Sequence, residues 1–190
     1  MPDESRGAVI CNTSPMVYLH RIGRLDLLPA LYGRVVLPNS VCRELVTGLE
    51  ENYDIPDWRT LPWADVRGTR VPAVLRMVPD LGPGEAEVIA LALEFGPEAL
   101  VVLDDGLGRR IAGTHPIRMT GTVGVLCAGK RAGFLPSVRP ALDKLLRVGF
   151  YLGRLAEERA AAVLRHRVCM EEGGTPQARR VQPGFLYQEG

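Results

Sequence analysis

Acidic and amide side chains occur at separate places that a folded chain could bring together. Asn12 follows one short apolar run, and the doublet Asp104-Asp105 follows a longer one. Glu44 and Glu85 lie near the starts of two segments with helical patterns. If the apolar runs are parallel strands, their carboxyl ends share one sheet edge, which is where open α/β sheets bind ligands. We therefore expect these five residues to share a cleft.

An acidic cluster of this kind favours a particular chemistry. Carboxylates a few Å apart repel one another, so bound cations are expected to neutralise them. Hard oxygen ligands suit Mg²⁺ or Mn²⁺. A metal held there would polarise a phosphate and activate water, so the pattern predicts phosphodiester hydrolysis.

Each of these residues also has an ordinary structural interpretation. Glu85, in the first turn of a helix, would stabilise the helix macrodipole. Glu44 lies four rather than three residues after the nearest serine, so it is not a capping-box glutamate, but it could be a surface residue. Asp105 could cap the next helix, and Asn12 could form a turn with Ser14 as the first helix cap. The residues alone leave both interpretations open.

Short apolar runs alternate with helix-length patterns along the chain. This alternation predicts an α/β fold, a mainly parallel central sheet flanked by helices. The predicted strands are 8–11, 34–37, one near Val66, 100–103 and 117–119. The predicted helices begin near Ser14, Pro38, Gly84, Gly106 and Thr120 or Thr122 (the last two expected to be helix caps), and further helices cover 137–148 and 155–168.

The length of 190 residues fits one domain. We assign residues 1–170 to that domain. Residues 48–82, with four prolines and both tryptophans, are expected to be an irregular excursion. Residues 171–190 are expected to be a disordered tail.

Composition and cysteine spacing exclude several classes of protein. The chain is 46% hydrophobic and 24% charged, as in ordinary globular proteins. No apolar run approaches the ~20 residues that a membrane span needs, and no export signal begins the chain, so we expect a cytoplasmic protein without membrane contact. The four cysteines are scattered without a CxxC pair, so neither a zinc ribbon nor a disulfide framework is expected.

Charge is distributed unevenly although the formal net charge is only +1. Residues 1–105 carry 9 basic and 16 acidic side chains, whereas residues 106–154 carry 9 basic and one acidic side chain. A basic block beside an acidic body suits a protein that attracts a polyanion and holds cations elsewhere. A solvated helical face rich in arginine is the other interpretation.

A set of motifs in chain order resembles the PIN domain. These motifs are Asn12-Thr13-Ser14-Pro15 after a strand, Leu37-Pro38-Asn39-Ser40-Val41 with Glu44-Leu45, Gly84-Glu85-Ala86-Glu87, and Val102-Leu103-Asp104-Asp105 with Arg109-Arg110. The later segment Thr120-Gly121-Thr122-Val123-Gly124, followed by Lys130-Arg131, is similar to a prokaryotic PIN-like branch related to VapC-type toxins. The likeness covers about residues 8–165 and implies a three-layer PIN-like fold.

The resemblance implies a ribonuclease that depends on Mg²⁺ or Mn²⁺. By motif match, the catalytic and metal-binding residues are Asn12, Glu44, Glu85 and Asp104, with Asp105 as an additional metal ligand. RNA phosphates are expected to contact Thr13, Ser14, Arg109, Arg110, Lys130 and Arg131. The implied partners are RNA, an antitoxin protein and a second copy of the chain in a homodimer.

Asn12 stands where the PIN domain has its first aspartate. An amide oxygen can ligate a hard cation, but it brings no charge and holds the metal more weakly. The alternative is therefore a catalytically degenerate PIN-fold module that binds RNA or a protein partner. Restoring aspartate at this position would discriminate between the two.

Other enzyme classes lack their motifs in this chain. A phosphatase of the haloacid dehalogenase type needs DxD after the first strand, but Asn12-Thr13-Ser14 stands there. Neither the GxGxxG of dinucleotide-binding domains nor the GxSxG of serine hydrolases is present at the expected place. The three histidines (His20, His115 and His166) fall in unrelated segments, so none is assigned a catalytic role.

Overall fold

A parallel sheet forms the centre of the molecule in the computed structural model, which describes residues 7–150. The strands are β1 (Val9–Cys11), β2 (Val35–Pro38), β3 (Ala64–Arg67), β4 (Leu100–Val102) and β5 (Arg118–Thr120). Their order across the sheet is β3-β2-β1-β4-β5, and every pairing is parallel. The prediction of a mainly parallel central sheet is therefore confirmed.

Helices cover both faces of the sheet and produce three layers. They are α1 (Thr13–Arg21), α2 (Leu27–Tyr32), α3 (Asn39–Glu50), α4 (Ala73–Arg76), α5 (Pro83–Phe95), α6 (Gly106–Ala112), α7 (Thr122–Arg131) and α8 (Arg139–Arg147). The larger apolar cluster joins the sheet to α1, α2, α3, α7 and α8, whereas the smaller one joins α4, α5 and α6. The α5 helix contributes to both clusters, as its apolar sequence predicts.

Local sequence explains the main elements. Both β2 and the Val101–Val102 part of β4 are buried along their length. Their sequences are therefore continuous apolar runs rather than alternating apolar and polar patterns. The α5 helix has proline in its first turn and ends at Gly96, whose φ of 82° lies in the left-handed region. Glycine adopts that conformation without steric cost, so the helix stops there.

The segment 48–82 is more regular than predicted. The expected strand near Val66 is confirmed as β3, which pairs with β2 at one edge of the sheet. A turn of 3-10 helix, Trp58–Thr60, precedes it and α4 follows it. The excursion therefore completes the sheet before the chain crosses to α5.

Three predicted helix caps, Ser14, Thr120 and Thr122, are wrong. The first helix starts at Thr13 and not after Ser14; Asn12 precedes it in extended conformation. The α7 helix is preceded by Gly121, so neither Thr120 nor Thr122 is its cap residue.

The helix predicted over 155–168 and the tail 171–190 lie outside the described residues. Between residues 7 and 150, none of the helices has the length and hydrophobicity that crossing a membrane requires.

Candidate metal centre

Most of the residues predicted to form a site follow the carboxyl ends of strands, whereas Glu85 lies in the first turn of α5, which follows α4. Asn12 comes directly after β1, and its backbone N–H donates to the Val102 carbonyl of β4 at 3.0 Å. Because each parallel strand ends at the same edge, the helices α1, α3, α6 and α7 begin there. Their N-terminal ends carry partial positive charge, which favours acidic side chains nearby.

Asn12 is the buried centre of this group, with no exposed surface. Its Nδ2 donates to Glu85 Oε1 at 2.8 Å. Its Oδ1 is also buried, yet it has no hydrogen-bond partner among the described residues. An unpaired buried carbonyl oxygen costs free energy. This atom is therefore an acceptor that a hydrogen-bond donor or a cation would satisfy.

Gly84 keeps open the space between Asn12 and Glu44. A Cβ atom at Gly84 would lie 2.9 Å from Asn12 Oδ1 and 2.8 Å from Glu44 Oε1. The two oxygens therefore face the same small space. Glu44 itself is exposed on α3, and its other carboxylate oxygen accepts a hydrogen bond from Thr13 Oγ1.

Asp104 is held by the start of α7. Its Oδ1 accepts the backbone N–H of Thr122 at 2.8 Å, and its Oδ2 accepts the Thr122 hydroxyl at 2.5 Å. Burial raises the pKa of Asp104, while these two hydrogen bonds and the nearby Arg109 act in the opposite direction. Thr122 thus positions an acid from its place in the first turn, a contact across 18 positions of sequence that no local pattern indicates.

Asp105 and Arg109 have structural partners. Asp105 caps α6, because its Oδ1 accepts the Gly108 backbone N–H at 2.6 Å. Arg109 Nη1 donates to the Leu103 carbonyl at 2.7 Å and to the Thr120 carbonyl at 3.0 Å, so it joins the ends of β4 and β5. The capping interpretation of Asp105 is confirmed, whereas its role as an additional metal ligand stays a prediction.

The remaining predicted contacts to RNA divide into a near and a far group. Thr13 and Ser14 lie half-buried in the first turn of α1, and Arg110 is exposed on α6. Lys130 and Arg131 end α7. A helix rises about 1.5 Å per residue, so Lys130 and Arg131 lie roughly 12 Å along the helix axis from the first turn of α7, which contacts Asp104.

Glu87 belongs to this region although it was not predicted as a site residue. It is only 5% exposed, and it accepts hydrogen bonds from the Ser40 hydroxyl and, at 2.7 Å, from the Ser40 backbone N–H. A carboxylate of α5 therefore caps α3, the helix that carries Glu44 one turn later. The available signal was a lone glutamate surrounded by apolar residues in a helix, which must be buried with partners.

Comparison with known proteins identifies the family of this chain. A family model described as a PIN domain matches residues 8–166. The chain belongs to the PIN domain family. PIN domains are generally nucleases with a three-layer α/β fold, and they usually use Mg²⁺ or Mn²⁺. No curated protein matches the chain.

The side chains of this PIN domain fit a hard cation in their chemistry. Carboxylates alone do not make the site, because within residues 7–150 the His, Cys, Asp and Glu side chains form no group of three or more that could hold a metal. The Asn12 amide offers one further oxygen donor, because its Oδ1 is buried, unpaired and close to the Glu44 carboxylate. Oxygen donors of this type suit Mg²⁺ and Mn²⁺.

Proposed function

We propose that this protein is a metal-dependent ribonuclease of PIN type that hydrolyses RNA phosphodiester bonds at the edge formed by Asn12, Glu44, Glu85 and Asp104. The observation that carries the proposal is the unpaired buried Oδ1 of Asn12, which faces the Glu44 carboxylate across Gly84. A buried acceptor left without a donor is unfavourable in a fold alone, and a bound cation would remove that cost.

In this proposal the four residues would hold Mg²⁺ or Mn²⁺ either directly or through water, because within residues 7–150 the three acids among them are not already gathered into a group that could hold a metal. When bound, such an ion polarises a phosphoryl oxygen and lowers the pKa of water. The chain's own contribution is to fix the acids. Thr122 holds both oxygens of Asp104, and Thr13 holds Glu44. The exposed Arg110 would contribute affinity for the RNA backbone without sequence preference.

A catalytically degenerate PIN module is the second candidate, and a specific contact favours it. Asn12 Nδ2 donates to Glu85 Oε1 at 2.8 Å, which an aspartate at this position could not do. The amide therefore stabilises the acid edge without a cation, as a site that no longer binds metal would require. Such a module would bind RNA or a protein partner.

Cleavage of a labelled mixed RNA panel by the purified protein tests the first candidate. The reactions contain Mn²⁺, Mg²⁺ or excess chelator, and an Asp104→Asn variant prepared identically controls for contaminating nuclease. Metal-dependent cleavage that the variant lacks supports the ribonuclease. Equal cleavage by both proteins refutes the residue assignment, and RNA binding without cleavage favours the degenerate module.

The biological setting is proposed from the resemblance to the VapC-related branch. In this proposal the protein is a cytoplasmic toxin that an antitoxin neutralises, and it acts as a homodimer. Induced expression should then arrest growth, and Asp104→Asn should abolish the arrest. Sedimentation equilibrium of the purified protein measures the oligomeric state.

A further inference from the structure

A groove between α1 and α3 leads away from the acid edge. Its volume is about 580 Å³, within the range of about 300–1,000 Å³ usual for small-molecule sites. Thr13 and Glu44 line one end, and Val17 and Ile55 supply apolar surface. Tyr53 lines the groove as well and is 59% exposed. The groove is thus continuous with the candidate metal centre.

The loop that presents Tyr53 is anchored to both helices. On the α3 side, the Tyr53 backbone N–H donates to the Gly48 carbonyl at 2.9 Å. Ile55 packs against Gly48, where an added Cβ would lie only 2.4 Å from the Ile55 side chain. On the α1 side, Arg21 Nε donates to the Asp54 carbonyl at 3.0 Å. The tyrosine ring is therefore exposed on a fixed support.

Positive charge borders the groove. Arg43 lines it from α3 and is exposed; within residues 7–150 it makes no hydrogen bond or ion pair. Arg21 lines it from α1, with a backbone carbonyl rather than a carboxylate as its partner. Glu44 and Glu51 also line the groove, so the two arginines share it with two carboxylates and its charge is mixed. An apolar slot with an exposed aromatic ring and arginines is the usual composition of single-strand nucleic-acid sites.

We infer that this groove binds one base of single-stranded RNA, adjacent to the phosphate at the acid edge, with Tyr53 stacking on the base and Arg43 contacting the backbone. The inference rests on the proposed function for the position of the phosphate. The groove is continuous with Glu44, and the exposed Arg43 makes no ion pair within residues 7–150. Both features favour a nucleotide, whose phosphate would pair with Arg43, over an apolar protein segment, which offers no anion. The site would select unpaired RNA, because a base inside a duplex cannot enter a slot of this kind.

Fluorescence anisotropy with a short labelled single-stranded RNA in excess chelator tests this inference without cleavage. Tyr53→Ala is expected to weaken binding about 10-fold, within the range for loss of one stacked base, and Tyr53→Phe is expected to retain it. Arg43→Ala is expected to weaken binding and to lower its salt dependence. The matched controls are Phe134→Ala and Arg147→Ala, an exposed aromatic and an exposed arginine outside the groove, which should bind like wild type.

The outcomes separate this inference from the proposed ribonuclease. If Tyr53→Ala and Arg43→Ala bind RNA as wild type does, the base site is overturned, even if metal-dependent cleavage is observed. A protein segment would then be the better occupant of the groove. Equal weakening by the two control variants overturns it too, because binding would then be diffuse. Tyr53-dependent binding by a protein that cleaves no RNA in Mn²⁺ or Mg²⁺ supports the base site and favours the degenerate module over the ribonuclease. A wild-type protein that binds no RNA overturns the base site directly.

Discussion

Replacing Asn12 by aspartate is the most direct test of the acid edge. The substitution keeps the shape of the side chain but exchanges an N–H donor, 2.8 Å from Glu85 Oε1, for a carboxylate oxygen at a position with no exposed surface. Two acids would then face each other beside Glu44. We expect the metal-free variant to be less stable than wild type and to respond more strongly to a divalent cation.

The size of the expected stability loss follows from the repulsion between the two carboxylates. Two unit charges 4 Å apart repel by about 4 kcal/mol at an effective dielectric constant of about 20. One carboxyl group can avoid the repulsion by taking a proton, which at pH 7 costs about 4 kcal/mol for a group with an ordinary pKa near 3.9. The free energy of unfolding should therefore fall by about 4 kcal/mol, which lowers Tm by roughly 8–16 °C in a chain of this size.

The pH dependence has a definite sign. The folded variant holds a proton that the unfolded chain releases, so its stability falls as pH rises through the ordinary carboxyl range. Below about pH 4 both states are protonated, and the difference from wild type should vanish. At neutral pH a cation at 100 times its Kd would return about 2.7 kcal/mol to the folded state.

Thermal melts in chelator and in Mn²⁺ measure both effects, with RNA cleavage followed in parallel. Asn12→Ala is the control, because it removes the hydrogen bond to Glu85 without adding charge. It should lose stability at all pH values and gain little from metal. An Asn12→Asp variant that melts like wild type in chelator and shows no larger Mn²⁺ shift would refute the geometry described here.

Three further substitutions test the surroundings of the site. Burial raises the pKa of Asp104, so the contribution of this carboxyl group to stability falls as pH rises through the ordinary carboxyl range. Asp104→Asn should therefore raise Tm at pH 7 in chelator and match wild type below about pH 4; a difference in Tm that does not change with pH would contradict this. Gly84→Ala places a Cβ 2.8 Å from Glu44 Oε1, so it should reduce metal-dependent cleavage at least 10-fold and make the Mn²⁺ shift in Tm smaller. Gly106→Ala, with open space around its Cβ, should change neither. Glu87 accepts from Ser40 on Oε2 and from the Thr69 backbone N–H on Oε1 at 3.3 Å, whereas a glutamine can accept on one side only. Glu87→Gln should therefore leave one of these donors unpaired and lower the free energy of unfolding in urea by about 1–3 kcal/mol; an unchanged midpoint would mean that these contacts do not stabilise the fold.

The sheet could be predicted from the sequence because buried parallel strands leave a simple mark. Continuous apolar runs such as the one in β4 are visible without any knowledge of their neighbours. Even β3 was detectable near Val66, although it lies at the sheet edge among prolines. Helix caps were less predictable: Asn12 has a typical capping side chain, but its amide hydrogen-bonds to a glutamate 73 positions away.

The sequence indicated which side chains to expect at this edge of the sheet, but it did not indicate the contacts that they make. Strand ends and motifs indicated which acids to expect, since both are local properties of the chain. The partners of those acids are long-range: Thr122 holds Asp104, and Glu87 holds the start of α3. The position of Lys130 at the far end of α7 follows from the direction of a helix after a parallel strand, so it required the fold as well as the charge.

The acids at the sheet edge already have hydrogen-bond donors from the chain itself. Asp104 has the start of α7, Glu85 has the Asn12 amide, and Glu44 has the Thr13 hydroxyl. A zinc finger, by contrast, does not fold until its metal ion is bound. In the proposed function, folding and metal supply would therefore be independent in time: the chain would reach its final shape before any ion is bound, and it would become active when free Mn²⁺ or Mg²⁺ rises, without refolding.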